Sequence, residues 1–215
     1  MGEFPLPFLP YDRLRAAADR FLDQYHPSRA IPVPIEQIAE MRLGIDIVPV
    51  PGLQQALQSD DFGVVGYITS DLKEIHVDEW IWNNRYNRYR FTIAHEIGHA
   101  VLHRELYGGQ HFDSVGSWKA FINSIPEETH GWYEWQAYAF AGLVLVPEAP
   151  LREAAARRLA RITDWLKQKN VAIATVSETV WDIVLEQVAG EFEVSIDVIR
   201  KRAEKDALRQ EFLPG

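Results

Sequence analysis

The five residues His95-Glu96-Ile97-Gly98-His99 constrain this chain more than any other feature of its sequence. They form an H-E-x-x-H pattern inside residues 85–106, a stretch whose spacing predicts a helix. Phe91, Ala94, Ile97, Gly98, Val101 and Leu102 recur at three- and four-residue steps, and Gly108-Gly109 is the expected stop. On such a helix residues four apart share a face, about 6 Å apart along the axis, so two imidazoles can converge on one ion. Glu96 stands one position round, where it can take a proton from water activated by the metal and pass it to a leaving amine. The flanks, Phe91 to Ala94 and Ala100 to Leu102, are mostly apolar. Histidines buried there without a partner would be costly, which favours a metal site over two solvated rings.

No cysteine occurs in the 215 residues. Disulfides, thiolate metal sites and a cysteine nucleophile are excluded, so a metal must be held by His and carboxylates, and Zn2+ is the expected ion. A catalytic zinc takes a third protein ligand and keeps one position open. His103 is evenly spaced after His95 and His99. Eight helical residues put it about 12 Å from His95, too far to share an ion, so a supporting or oxyanion-side place is expected of it. The downstream candidates are His111, Asp113, Glu127, Glu128, His130 and Glu134. Glu134 lies on a predicted helix, 131–146, that is apolar nearly all round and ends at Pro147. A lone carboxylate would be costly there, whereas a metal ligand is satisfied. Ala137 and Ala141, at i+3 and i+7, would let this helix approach Ala94 and Gly98. His111 and His130 stay open as loop ligands.

Around this pair of helices the pattern is mixed. Residues 12–24 are spaced as an amphipathic helix, and a short helix is predicted from Pro34 to Gly44. Residues 45–50 alternate as a strand, whose prolines suggest a sheet edge or the strand's end. Residues 63–69 and 73–77 read as a hairpin turning at Ser70-Asp71. Residues 108–130 read as a long loop, and 151–168 and 177–206 as peripheral amphipathic helices. The sum is an α+β chain with expected divisions at 1–30, 31–147 and 148–215. Residues 188–202 are similar to a helix-turn-helix capped by Ser195, within a helix-turn-helix-like segment at about 185–206. Its Arg200, Lys201, Arg202 and Lys205 could touch phosphates, but a net charge of −9 and a pI near 5.3 favour packing or partner docking over DNA binding.

The opening MGEFPLPFLP lacks the basic start and apolar run of a signal peptide, and no stretch approaches the ~20 apolar residues of a membrane span. A cytoplasmic protein is expected.

Three stretches, in order, resemble the ImmA/IrrE family of metallopeptidases. They are Val33 to Glu40 with Leu43-Gly44-Ile45, Arg90 to His103, and Glu134 to Ala141 with Leu143 to Pro147. The resemblance implies a zincin-like core of gluzincin type, with the H-E-x-x-H helix packed on a small sheet. It implies His95, His99 and Glu134 as metal ligands and Glu96 as catalytic acid/base. The family usually has Asn or Asp where this chain has Tyr138, which could serve the oxyanion or simply pack. The family is known for cutting helix-turn-helix repressors of mobile elements or stress genes, so a repressor is the implied substrate. The free edge of the 63–77 hairpin could receive an extended substrate as an added strand. The competing reading is a non-catalytic module of the same fold that sequesters a repressor or antitoxin.

Overall fold

The apolar spacing of residues 12–24 yields α1 (Tyr11–Tyr25), with Leu14, Ala17, Ala18, Phe21 and Leu22 as its buried stripe. The computed structural model of the chain describes residues 8–57, 65–107, 110, 112 and 114–213. Two compact units divide it, one made of residues up to Pro27 and Pro34–Val144, the other of Ser28–Val33 and the chain from Leu145 onward.

In the first unit, α2 (Ile35–Gln37) starts after Pro34, widens into a π-helical turn (Ile38–Leu43) and ends at Gly44. Then follow β1 (Asp46–Val50), α3 (Leu53–Leu57), β2 (Gly66–Ile68) and β3 (Glu74–Asp78). The three strands form one mixed sheet in the order β1-β3-β2, with β1 parallel and β2 antiparallel to β3. Pro49 thus lies on an edge strand, where its missing N–H costs little. The β2–β3 turn is closed by Asp71, whose Oδ1 accepts from the Thr69 hydroxyl at 2.7 Å and the Lys73 N–H at 3.2 Å. Residues 63 and 64 of the predicted strand lie outside the described residues.

After β3 come α4 (Glu79–Asn84), α5 (Tyr86–Leu102), α6 (Arg104–Tyr107), α7 (Val115–Ser124) and α8 (Glu127–Leu145). The helix predicted through residue 106 differs from α5, which stops at Leu102. His103 leaves helical geometry at φ −123° and ψ 18° although its N–H still bonds to the His99 carbonyl. The break has a tertiary cause, because the His103 ring is held from the side by residues of α8, described below. The predicted loop at 108–130 also differs, since it contains α7 and the first turn of α8. Ser114 and Ser117 form a capping box in which serine replaces the usual Glu or Gln, and this is why the helix start was illegible.

The second unit is helical: α9 (Glu148–Gln168), a 3-10 turn (Ile173–Thr175), α10 (Ser177–Phe192), α11 (Ile196–Lys205) and α12 (Leu208–Phe212). The apolar face of α10, from Val180 to Phe192, forms its core, and Arg157 and Arg158 of α9 both pair with Glu191. The Ser195 hydroxyl caps α11 by accepting from the Val198 N–H. Within α11, Arg202 turns inward. Its side chain is 4% exposed, ion-paired to Asp206 at 2.8 Å and bonded to the Val146 carbonyl. Arg202 is therefore an interior residue, where the sequence had left both phosphate contact and packing open and favoured packing or partner docking. Among the described residues no helix is long and apolar enough to cross a membrane.

Candidate metal centre

The site begins with the contact between α5 and α8. A Cβ on Gly98 would lie 3.2 Å from both the Cα and the carbonyl oxygen of Ala137, and 3.2 Å from Phe140 Cδ1. Glycine there lets the two backbones approach closely, as the small residues at 94, 98, 137 and 141 had suggested. Close approach lets the short carboxylate of Glu134 on α8 reach the two imidazoles of α5. His95 Nε2 lies 3.0 Å from His99 Nε2 and 3.1 Å from Glu134 Oε2, and His99 Nε2 lies 3.5 Å from Glu134 Oε1. Four donors bound tetrahedrally at about 2.0–2.1 Å stand roughly 3.3 Å apart. The spacing of His95, His99 and Glu134 fits such an ion, and the donor set of two imidazoles and one carboxylate suits a borderline metal.

Burial sharpens the chemistry. His95 is 1% exposed, and Glu96 and His99 are each 3% exposed. Burial pushes the Glu96 carboxyl up to about 7, reinforced by the negative charge of Glu134 and opposed by His95 and a backbone hydrogen bond. Burial alone would raise Glu134 too. Attraction to His99 and hydrogen bonds from His130, His95 and His99 outweigh it and hold that carboxyl well below the usual range. The two carboxylates are driven apart in acidity by their surroundings, one toward a proton carrier and one toward a fixed anion.

Glu96 is also tied to the sheet. Thr69 and Val65 bond to β3, so the alternating N–H and C=O groups of Gly66 and Ile68 point away from it. The Ile68 N–H donates to Glu96 Oε2 at 3.0 Å. Gly66 permits this packing, since a Cβ there would lie 2.5 Å from the His76 carbonyl oxygen and 2.8 Å from Thr92 of α5. The free edge of β2 therefore runs beside the H-E-x-x-H residues.

The remaining candidates fall into place individually. His130, on the first turns of α8, lies 3.4 Å from Glu134 Oε1 and stands outside the three-donor group. Glu127 and Glu128 are exposed at the start of α8, and His111 and Asp113 lie outside the described residues. The Tyr138 ring packs on Phe91 at 4.8 Å between ring centres. His103 is buried beside His99, with its Nδ1 3.0 Å from His99 Nδ1 and its Nε2 3.1 Å from Gln136 Oε1. Burial and the neighbouring His99 push it down to about 3, so this ring is neutral. Sequence reasoning passed over Gln136, as well as Tyr133, whose ring stacks on His103 at 3.9 Å. A polar Gln two residues after Glu134 on an apolar helix was the available signal.

The family model described as the IrrE N-terminal-like domain, a peptidase family, matches residues 40–204. No curated protein matches the chain. Among solved structures, a Mycobacterium tuberculosis transcriptional regulator shares the fold with a TM-score of 0.52 at 16% sequence identity. The likeness covers 90% of this chain and 48% of that one, so the chain spans about half the length of that structure.

Proposed function

We propose that this chain, which belongs to the IrrE N-terminal-like peptidase family, is a zinc-dependent endopeptidase that cleaves a helix-turn-helix transcriptional repressor and so relieves repression in a mobile-element or stress-response switch. The observation that carries the reading is the three-donor group of His95, His99 and Glu134 with Glu96 beside it. A zinc ion held there supplies positive charge that polarises a peptide carbonyl and acidifies a water molecule.

Glu96 is the general base and then the general acid. Its carboxylate takes a proton from water as the water oxygen bonds to the carbonyl carbon. As the C–N bond breaks, the proton passes to the leaving nitrogen. Its place beside the metal-holding residues, with one carboxylate oxygen bonded to the Ile68 N–H, suits it to both halves of that exchange. His95, His99 and Glu134 would hold the ion, and the negative charge of Glu134 would offset part of its charge. Apart from the Ile68 N–H, which Glu96 takes, the outward backbone groups of the β2 edge are where an extended peptide can add as a strand, which would lay a scissile bond across the site. The repressor as substrate class rests on the resemblance to the ImmA/IrrE family.

The test measures zinc per chain and repressor cleavage together, in wild type and in Glu134→Ala. About one zinc per chain that the variant loses, with cleavage by wild type alone, supports the reading. A wild type that binds repressor tightly but cuts nothing, even when loaded with zinc, would replace it with a sequestering module.

A further inference from the structure

Resting on the metal-centre reading above, we propose that Gln136 and His103 form a hydrogen-bond relay that fixes the tautomer of His99 and leaves its Nε2 lone pair for the ion. They are positioning residues and need not touch substrate.

The relay follows from counting protons. A neutral imidazole has one N–H donor and one acceptor nitrogen, whereas an amide oxygen only accepts. An ion on His99 Nε2 requires His99 to donate from Nδ1 and His103 to carry its proton on Nε2, which lies 3.1 Å from the Gln136 amide oxygen that accepts it. His103 Nδ1 is then an acceptor. It faces His99 Nδ1 at 3.0 Å, so His99 must donate from Nδ1. The nitrogen left with a free lone pair is His99 Nε2, which faces His95 Nε2 and Glu134 Oε1. Turning the Gln136 amide over reverses each step. His103 Nε2 would accept, its Nδ1 would donate, and His99 Nε2 would hold a proton where the ion must bind.

The surroundings shield this arrangement from water. Gln136 is 2% exposed and His103 is 1% exposed, so water is a poor substitute partner for either. The His103 ring is clamped flat against Tyr133, with centres 3.9 Å apart and planes 21° apart. Among the described residues His95 has no matching support, since its Nδ1 is buried there without a hydrogen-bond partner. Ligating histidines ordinarily give their second N–H to an acceptor, and here that support is concentrated on His99.

The test reads the proton directly and then the metal. In metal-free wild type labelled with 15N-histidine, NMR is expected to place the His99 proton on Nδ1 and the His103 proton on Nε2. Gln136→Leu, which removes the acceptor, should mix the His99 tautomers and weaken zinc about 10–100-fold by chelator competition. A His99 proton on Nε2 in wild type overturns the relay, and that measurement needs no variant to fold. A Gln136→Leu protein that binds zinc as wild type does overturns the relay alone. A wild type with the expected tautomers that binds no zinc overturns the metal-centre reading and the purpose assigned to the relay.

Discussion

Gly98 meets Ala137 so closely that a methyl group on Gly98 would stand 3.2 Å from the Ala137 Cα and carbonyl oxygen. The candidate metal centre lies across this contact, with His95, His99 and Glu134 divided between its two helices. Gly98→Val should force the helices apart, costing about 1–3 kcal/mol of stability by overpacking. It should also weaken zinc binding, because the Glu134 carboxylate has no slack. Thermal unfolding and zinc titration check both effects, and a variant with lowered stability but unchanged zinc affinity would contradict the second.

Glu96 and His99 should separate chemistry from metal holding. Glu96→Gln is expected to retain zinc while losing roughly 100-fold or more in cleavage rate, the typical worth of a general base. His99→Ala should lose both. Removing the metal with chelator should lower the unfolding temperature, and zinc at a hundred times its dissociation constant should return about 2.7 kcal/mol. Metal analysis beside a cleavage assay reads the first pair, and calorimetry reads the last.

Asp71 makes the β2–β3 turn sensitive to acid. Its hydrogen bond from the Thr69 hydroxyl, the strongest of its influences, lowers its carboxyl below the ordinary value of 3.8. A folded-state pKa below the unfolded one means that the stabilisation is present above 3.8 and is lost as pH falls through the lowered value. Asp71→Ala should therefore cost roughly 0.5 kcal/mol near neutral pH, an exposed turn bond being weak. The difference from wild type should shrink below pH 4, which urea unfolding at several pH values would reveal. A constant difference across that range would count against the ionised side chain as the cause.

Arg202 and Asp206 make the second unit intolerant of a half-removed pair. Their side chains are 4% and 2% exposed, so Asp206→Ala leaves a buried guanidinium without its carboxylate. A loss of about 3–5 kcal/mol is expected in chemical denaturation. Lys201→Ala, on the exposed face of the same helix, should stay within about 0.5 kcal/mol of wild type.

Much of the metal centre was legible because its chemistry is local. His95, Glu96 and His99 share one helix, and the i, i+4 spacing alone puts two imidazoles on one face. Glu134 was legible at one remove, through the cost of a carboxylate on an apolar helix and the alanines that allow its approach. Helix length alone excluded His103 as a third ligand, but the partner that gives it meaning, Gln136, lies 33 residues away. No periodicity links those two residues. The short elements were also hidden. Five residues of α3 and ten of α7 are too few for an apolar pattern to register, and their existence depends on packing and on a serine capping box.

The sequence by itself determined the helices that carry the candidate ligands, a strand followed by a hairpin, the donor chemistry of the candidate metal site and, through its matched stretches, the family. Those follow from spacing, residue chemistry and the absence of cysteine, which hold wherever the chain goes. Only the tertiary structure decided that β2 turns its free edge to Glu96, that α5 breaks at His103, and that Arg202 faces inward. Each of these depends on which distant groups meet in a buried space, where an unpartnered proton or charge is costly. The one-dimensional pattern does not contain that pairing.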